Sequence, residues 1–269
     1  MIQVKYVNSL NQSISFFSES MKVSQGSFHQ RKWTISEDDI TKDAITYNLT
    51  LTLRGKIDER KQMLNNLYDV FEIDLINKTP GKMYFGDYYI KCYIQSSNTE
   101  PNSRLNCRTD NALEVYCPKQ SWIKENKFSF FPNQIQNINI SENKKYDYAY
   151  DYIYGENAGS DSIVNDAITE SYFKLIVYGP ATNPSIMIGE NLYAVNVDLN
   201  IGDYLVIESL DRQIYITDVN GIQKNVFDNR NKENYIFQKI SPGLNNIEWS
   251  AGFGFDVIIY DERSEPKWI

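Results

Sequence analysis

The last third of the chain alternates apolar and polar residues in short runs, and this period of two is typical of half-buried β-strands. The runs at 204–207 and 213–217 are rich in β-branched and aromatic residues, which favours strands over helices. After them, Asn220 and Gly221 predict a type I′ turn, which needs a positive φ at both positions. Together with the runs at 222–227, 235–237, 246–250 and 255–260, this indicates an antiparallel β module.

The beginning of the chain shows the same alternation. It predicts strands at 2–7, 14–17, 26–35 and 47–53. The segment 36–44 lies between the last two strands and is too polar to belong to a core. We interpret it either as a solvated loop or as a hairpin arm that reaches a neighbouring subunit. The candidate arm residues are Glu37, Asp38, Asp39, Lys42 and Asp43.

One segment, at about 58–76, has the period of an α-helix. Its apolar residues recur at i, i+3 and i+4, which predicts one stripe that packs on a sheet. The members of the stripe are Met63, Leu64, Leu67, Tyr68, Phe71 and Leu75. We expect Asp58 as the N-cap, and Pro80 with Gly81 as a type II turn after the helix. A hairpin that turns at 86–87 and a polar loop at 98–110 follow.

Charge and composition argue against several classes of protein. The formal net charge is −8, with 35 acidic against 27 basic residues, so the chain lacks the basic surface that phosphate binding requires. No apolar run approaches the roughly 18 residues of a membrane span. We therefore expect no sequence-specific nucleic acid and no membrane as partner. Synthesis in the cytoplasm is the default expectation.

No motif indicates catalysis or a cofactor. The chain has one histidine, His29, and contains no nucleophile elbow, no phosphate-binding glycine loop and no HExxH motif. Cys92, Cys107 and Cys117 have no CxxC spacing, so they predict free, mostly buried thiols instead of a zinc site. Pairs of acidic residues could serve a glycoside hydrolase, but chance explains them better among 35 acids. We expect no catalytic residue, no metal and no cofactor.

Five tyrosines alternate with small or other residues over 146–154. In a strand they would all line one face, because successive side chains point to opposite faces. An aromatic face suits the binding of a sugar ring, and it also suits packing between two sheets with the hydroxyl groups at the edge. Packing is the more common role. A carbohydrate-binding module for host surface glycans is therefore the alternative function.

Several strings, in their order along the chain, resemble one family: the distal tail proteins of siphovirus-type bacteriophages, including prophages of Gram-positive hosts. Each string alone is weak, but together they cover nearly the whole chain. Ala149 and Ile153 depart from the family pattern, which tends to place proline in the tyrosine-rich repeat. The strings are 64–72, 80–84, 86–92, Cys117-Pro118 with Trp122, 147–154, Tyr178-Gly179-Pro180 with Asn183-Pro184, and 260–268.

This resemblance implies a mainly β fold with two domains. The first, 1–132, is an N-terminal tail-tube-like β domain with one α-helix that forms a hexameric ring, and the second, 133–269, is a galectin-like antiparallel β-sandwich. Such rings are structural hubs at the tail tip of the virion. They join the tail-tube protein to the tail-associated tip protein, and they often carry receptor-binding or baseplate proteins. The galectin-like domain is expected to be a scaffold.

The resemblance also changes the interpretation of the polar string at 261–268, near the end of the chain. By its composition it suits a solvated terminus, whereas its place in the family pattern implies a fixed segment. We expect Arg263 to pair with an acid at the domain junction. Glu265 and Trp268 are the other candidate anchor residues.

Overall fold

The computed structural model describes residues 3–36, 39–101, 108–132 and 159–267. These residues are mainly β with one α-helix, which confirms the predicted fold class at that level. They divide into two compact units, the first comprising Met1–Lys124 with Glu262–Ile269 and the second comprising Glu125–Asp261.

The first unit is built from antiparallel strands and the helix. A long central strand, β8, pairs with β7 and β10 through its first half and with β9 through its second half. From β8 the sheet continues through β7 and β1 to β2 on one side, and through β9 and β6 to β3 on the other. The elements are β1 (Val4–Val7), β2 (Ser13–Ser15), β3 (Met21–Gln25), β4 (Thr34–Ile35), β5 (Ile40–Thr41), β6 (Ile45–Arg54), α1 (Ile57–Ile76), β7 (Gly81–Phe85), β8 (Tyr88–Pro101), β9 (Arg108–Cys117) and the start of β10 (Trp122–Phe130), which belongs to the second unit from Glu125 onward.

Two parts of this unit differ from the sequence prediction. The predicted loop at 98–110 is wrong at its ends, because β8 and β9 extend into it and pair, with Asn98 opposite Ala112. The predicted strand at 26–35 is also wrong over most of its length, since only Thr34–Ile35 at its end forms a strand. The chain leaves the ladder at Gly26, whose φ is +108°, and Phe28 is buried between the rings of Tyr47 and Trp122. An apolar residue in an irregular segment therefore gave a false strand signal.

The helix confirms the predicted segment and corrects its start. Its N-cap is Lys56, and Glu59 Oε2 accepts the Lys56 amide N–H at 2.9 Å. The prediction of Asp58 as N-cap is wrong, since Asp58 lies inside the first turn, where its charge complements the helix dipole. A Glu three residues after the N-cap satisfies one orphan N–H, so the helix begins without a short polar side chain at the cap.

The buried face of α1 also differs from the predicted stripe. Tyr68 and Leu75 are exposed, and the buried residues are Arg60, Leu67, Val70, Phe71 and Asp74. The stripe keeps helical spacing, but two charged residues complete it. A prediction that counts only apolar residues omits Arg60 and Asp74, and it therefore places the centre of the buried face too close to the exposed residues Tyr68 and Leu75. The ring of Phe71 packs edge-on to Tyr6, with 5.2 Å between ring centroids.

The helix ends in a Schellman motif. The Thr79 amide donates to Asp74 O at 3.1 Å and the Lys78 amide to Leu75 O at 3.3 Å, with Lys78 in the left-handed region at φ +51°. The predicted type II turn at Pro80 and Gly81 is wrong, because Gly81 lacks a positive φ and already begins β7. Gly81 is required for another reason. A Cβ there would lie 2.4 Å from both Asp74 Oδ2 and Tyr6 Oη.

The second unit has two main antiparallel sheets that share one core. One sheet has the order β19–β18–β17–β12–β21, the other β11–β20–β14–β15, and β13 pairs with β16. Alternate residues of both sheets, such as Leu175 and Ile207 on one and Ile186 and Ile247 on the other, enter the same cluster. The strands are β11 (Gly159–Asn165), β12 (Phe173–Tyr178), β13 (Ala181–Thr182), β14 (Ser185–Ile188), β15 (Asn191–Ala194), β16 (Asp198–Leu199), β17 (Tyr204–Glu208), β18 (Gln213–Thr217), β19 (Gln223–Asn225), β20 (Gly243–Trp249) and β21 (Phe255–Arg263).

The turn after β18 is not the predicted type I′ turn. Only Gly221 has a positive φ, at +80°, and Asn220 does not. Asp218 Oδ1 accepts the amides of Asn220 and Ile222, both at 2.8 Å, so a side chain before the turn sets its geometry. The predicted strand at 235–237 is wrong too. Ile236 and Phe237 enter the core from a turn.

Candidate assembly site

Two short strands at the predicted segment 36–44, β4 just before it and β5 within it, pair with each other. Thr34 pairs with Thr41 and Ile35 with Ile40, and neither strand joins another sheet. We call residues 33–36 and 39–43 the arm. Ile35 and Ile40 are 74% and 60% exposed. The arm thus presents an apolar pair to solvent.

Polar bonds within the arm hold its shape. The Asp43 carboxylate accepts bonds from the hydroxyl groups of Thr34 and Thr41, one on each strand. At the turn, the Asp39 amide donates to Ser36 Oγ at 3.1 Å. The Lys42 ammonium lies 5.0 Å from the centroid of the Trp33 ring, within cation–π range. Partial burial lowers the pKa of Lys42, and the Glu262 carboxylate opposes that shift.

A buried glutamine fixes the base of the arm. Gln120 is fully buried, and its Oε1 accepts the Lys32 amide at 3.0 Å. Its Nε2 donates to Gln30 O at 3.0 Å and to Ser264 O at 3.2 Å. One side chain therefore ties the segment before the arm to the end of the chain. Because its partners are backbone groups far away in sequence, no local pattern identifies Gln120 as a structural residue.

The end of the chain packs on the first unit, and Pro266 is buried there. Glu262 lies 3.6 Å from Lys119 Nζ, and Glu265 lies 4.0 Å from Arg31 Nη1. Both ion pairs are partly exposed, so each contributes at most about 1 kcal/mol. Arg263 is half-buried, and its role as an anchor stays a prediction.

The structure brings together some of the predicted site residues. Asp39, Lys42 and Asp43 lie on one hairpin. Glu265 lies 4.0 Å from Arg31, which precedes the arm by two residues. Glu37, Asp38 and Trp268 lie outside the described residues, as does the tyrosine repeat at 146–154. The apolar pair at Ile35 and Ile40 was missed, because the sequence pattern assigned its members to a strand and to a loop.

The first unit also buries a polar pair away from the arm. Tyr6 Oη donates to Asp74 Oδ2 at 2.5 Å, and the Ser9 amide donates to Asp74 Oδ1 at 2.7 Å. Burial, together with the bond to Asp74, raises the pKa of the Tyr6 hydroxyl well above its ordinary value. Cys92 and Cys117 are free and buried, as predicted, whereas Cys107 lies outside the described residues.

The second unit has a polar cluster beside a cavity of about 450 Å³. Asp256 Oδ2 accepts a bond from Tyr178 Oη at 2.5 Å and lies 2.8 Å from Lys127 Nζ. Burial alone would raise the pKa of Asp256, but bonds from Lys127, Tyr178 and Ser129 outweigh it and lower that pKa. Burial and the bond to Asp256 raise the pKa of Tyr178 to about 12. A carboxylate satisfied in this way serves structure better than proton transfer.

In 3–36, 39–101, 108–132 and 159–267, no three His, Cys, Asp or Glu residues come together in a group that could hold a metal ion. The described helix is not long and apolar enough to cross a membrane.

The fold made by these elements is that of phage tail hub and baseplate proteins. One similar structure is SPP1 Dit, a paradigm of the hub adsorption apparatus in phages that infect Gram-positive bacteria. It has 8% sequence identity to this chain and a TM-score of 0.56, and the match covers 98% of this chain and 99% of Dit. Chains of the phage P2 baseplate in its activated conformation have 14% identity and TM-scores of 0.59 with Ca and 0.58 with Sr, covering 99% of this chain and 100% of theirs.

These matches establish the fold and confirm the predicted resemblance to distal tail proteins at that level. No protein-family model matches the chain. No curated protein matches it in sequence either.

Proposed function

We propose that this chain is a structural protein of a phage virion, which forms a hexameric hub at the distal end of the tail. The observation that carries the proposal is the end-to-end match in fold to SPP1 Dit, which covers 98% of this chain. In this proposal, the domain at 1–132 forms the ring and the galectin-like domain at 133–269 is its outer scaffold.

The hub joins the tail-tube protein to the tail-associated tip protein and carries receptor-binding or baseplate proteins. It acts by binding and not by catalysis. The cluster around Asp256 supports this view, because its carboxylate is already held by Lys127 and Tyr178.

A hexameric ring needs two different complementary faces on each subunit, since its contacts are heterologous and must close. The arm supplies one such face. Its two strands pair only with each other and are held by bonds within the arm, and Gln120 holds the backbone just before it. Asp39, Lys42 and Asp43 give its described part a mixed, mainly acidic surface, and the candidate arm residues Glu37 and Asp38 lie outside the described residues.

Native mass spectrometry of the purified chain tests the hub proposal. We expect six-subunit particles that appear as rings in negatively stained electron micrographs. Antibodies against the chain should label the tail tips of intact virions. A chain that stays monomeric at all concentrations and binds glycans on an array would instead support the carbohydrate-binding alternative.

A further inference from the structure

Two cysteines of the first unit lie opposite each other on neighbouring strands. Tyr93 of β8 pairs with Tyr116 of β9, so the next residues along the two strands, Cys92 and Cys117, face each other. The irregularity of this ladder lies on the other side of that tyrosine pair, within 94–96. Both strands are inside the sheet, with β7 beyond β8 and β6 beyond β9, so the cysteines are not at an edge.

The two thiols are in contact within the core. The Cys92 thiol is hydrogen-bonded to Cys117, and both side chains are fully buried. The Cys117 thiol also donates to Val115 O at 3.9 Å. Both sulfurs lie near the Tyr47 hydroxyl as well. Burial raises the pKa of that hydroxyl to about 12, and the neighbouring Cys117 and Cys92 add to the rise.

The backbone geometry at this position suits a disulfide bond. Directly opposite residues of an antiparallel pair have Cα atoms about 4.5 or about 5.5 Å apart, depending on the hydrogen-bond pattern. A disulfide spans Cα separations of about 4.4–6.8 Å. Both kinds of pair are within this range, so Cys92 and Cys117 can be joined without rearrangement of the ladder.

A metal ion is the other partner that two thiols can take. A structural zinc site needs four protein ligands. Among the residues that the structure describes, no three His, Cys, Asp or Glu come together around a possible ion. The described surroundings of the two thiols therefore suit an S–S bond better than a metal.

We propose that Cys92 and Cys117 are a redox pair, which is a dithiol in a reducing compartment and becomes a cross-strand disulfide in an oxidising medium. The oxidant is a small-molecule disulfide such as oxidised glutathione. One cysteine thiolate attacks a sulfur of the oxidant and expels one small thiolate, and the other cysteine thiolate then attacks the mixed disulfide and expels the second. The two protein thiols lose two protons and two electrons, and the oxidant leaves as two thiols.

Burial makes the native dithiol slow to react. It raises the pKa of the Cys92 thiol, so the folded chain contains little of the reactive thiolate. An oxidant reaches the sulfurs only when the strands β8 and β9 open locally. The pair therefore stays reduced in a cytoplasm and oxidises slowly outside it. The redox pair does not depend on the proposed hub.

Equilibration with glutathione redox buffers tests the redox pair. In the full chain with Cys107→Ser, Cys92 and Cys117 are the only cysteines. The fraction of disulfide is measured by mass spectrometry after acid quenching, for the folded chain and for the chain unfolded in urea, starting from both the reduced and the oxidised form. A disulfide that stabilises the fold is favoured by folding to the same extent. We expect the equilibrium constant for oxidation to be about 30- to 1,000-fold higher in the folded chain.

Thermal melting gives a second measurement. The oxidised chain should melt about 10 °C above the reduced chain, because the bond closes the loop between the two cysteines, and reduction should reverse this rise. Cys117→Ala is the matched control. It leaves no pair to oxidise, so oxidised glutathione should not raise its melting temperature.

Peptide mapping of the oxidised chain should show Cys92 joined to Cys117. Three results would overturn the redox pair. The folded chain keeps both thiols free at equilibrium, or it carries two glutathione adducts in place of the internal bond, or its equilibrium constant for oxidation is no higher than that of the unfolded chain. In each case the fold does not hold the two sulfurs in position for a bond.

Discussion

Tyr6→Phe removes the hydroxyl that donates to the buried carboxylate of Asp74. Both side chains are fully buried, and the bond measures 2.5 Å. The carboxylate keeps the Ser9 amide as its other donor. The surroundings leave little space for a replacement water, because even a methyl group on Gly81 would lie 2.4 Å from Asp74 Oδ2.

The expected loss follows from the kind of bond that is removed. A hydrogen bond to a charged group contributes about 1.5–3 kcal/mol, so we expect Tyr6→Phe to lower the free energy of unfolding by about 2 kcal/mol. For a unit of this size, about 3–5 °C per kcal/mol gives a fall in melting temperature of about 6–10 °C. Tyr68→Phe is the matched control, since the Tyr68 hydroxyl bonds to Thr99 at an exposed site.

Calorimetry of the unfolding of the first unit and hydrogen exchange of the α1 amides would measure this loss of stability. Alkaline pH gives a second measurement. Because the folded pKa of Tyr6 lies above its unfolded value, its contribution to stability is complete below about pH 10 and is lost as the pH rises further. Tyr6→Phe removes this alkaline loss. If Tyr6→Phe and Tyr68→Phe unfold at the same temperature, the bond to Asp74 does not stabilise the unit and the reasoning is refuted.

Three further substitutions test other features of the structure. Lys78→Gly should stabilise the first unit by about 1 kcal/mol, because φ is +51° there, whereas Lys78→Ala should not raise the melting temperature. Gln120→Ala removes three buried bonds at the base of the arm, so trypsin should cut after Arg31 or Lys32 several-fold faster than in the unchanged chain. Burial raises the pKa of Glu208, so its contribution to stability is present below the ordinary value of 4.5 and is lost as the pH rises through the raised value. Glu208→Gln should flatten this dependence, measured as the change in melting temperature of the second unit between pH 4 and pH 7.

Period-two alternation predicted the strands whose two faces differ in burial. The run at 213–217 coincides with β18, and the run at 47–53 lies within β6, because apolar residues alternate with more exposed ones along these strands. The helix was predicted for a similar reason. In each case the signal comes from the sequence of the element itself and needs no knowledge of its partners.

The predictions failed where a distant partner sets the local structure. Arg60 and Asp74 complete the buried face of α1 although both are charged, and Asp74 can be buried because Tyr6 and Ser9 satisfy it. Lys78 adopts a conformation that glycine would favour, so its sequence carried no signal for the end of the helix. Hydrophobic period alone cannot identify such positions.

The candidate site likewise contains residues that a local sequence pattern indicates and a residue whose role depends on distant partners. The charged residues of the arm became candidates because a polar run between two predicted strands is visible in the sequence, and their role stays a prediction. Gln120 was not found, although it holds the backbone at 30–32, just before the arm. Its three partners are backbone groups in two segments that lie about 90 and about 144 positions away.

The bonds of Gln120 give the end of the chain a structural role. Ser264 and the backbone at 30–32 share this one side chain, so detachment of the end segment would remove a partner from the base of the arm. Glu262 and Glu265 add ion pairs in the same region. The polar ending of the sequence, which by composition suits a solvated terminus, thus takes part in fixing the base of the arm through the Ser264 carbonyl.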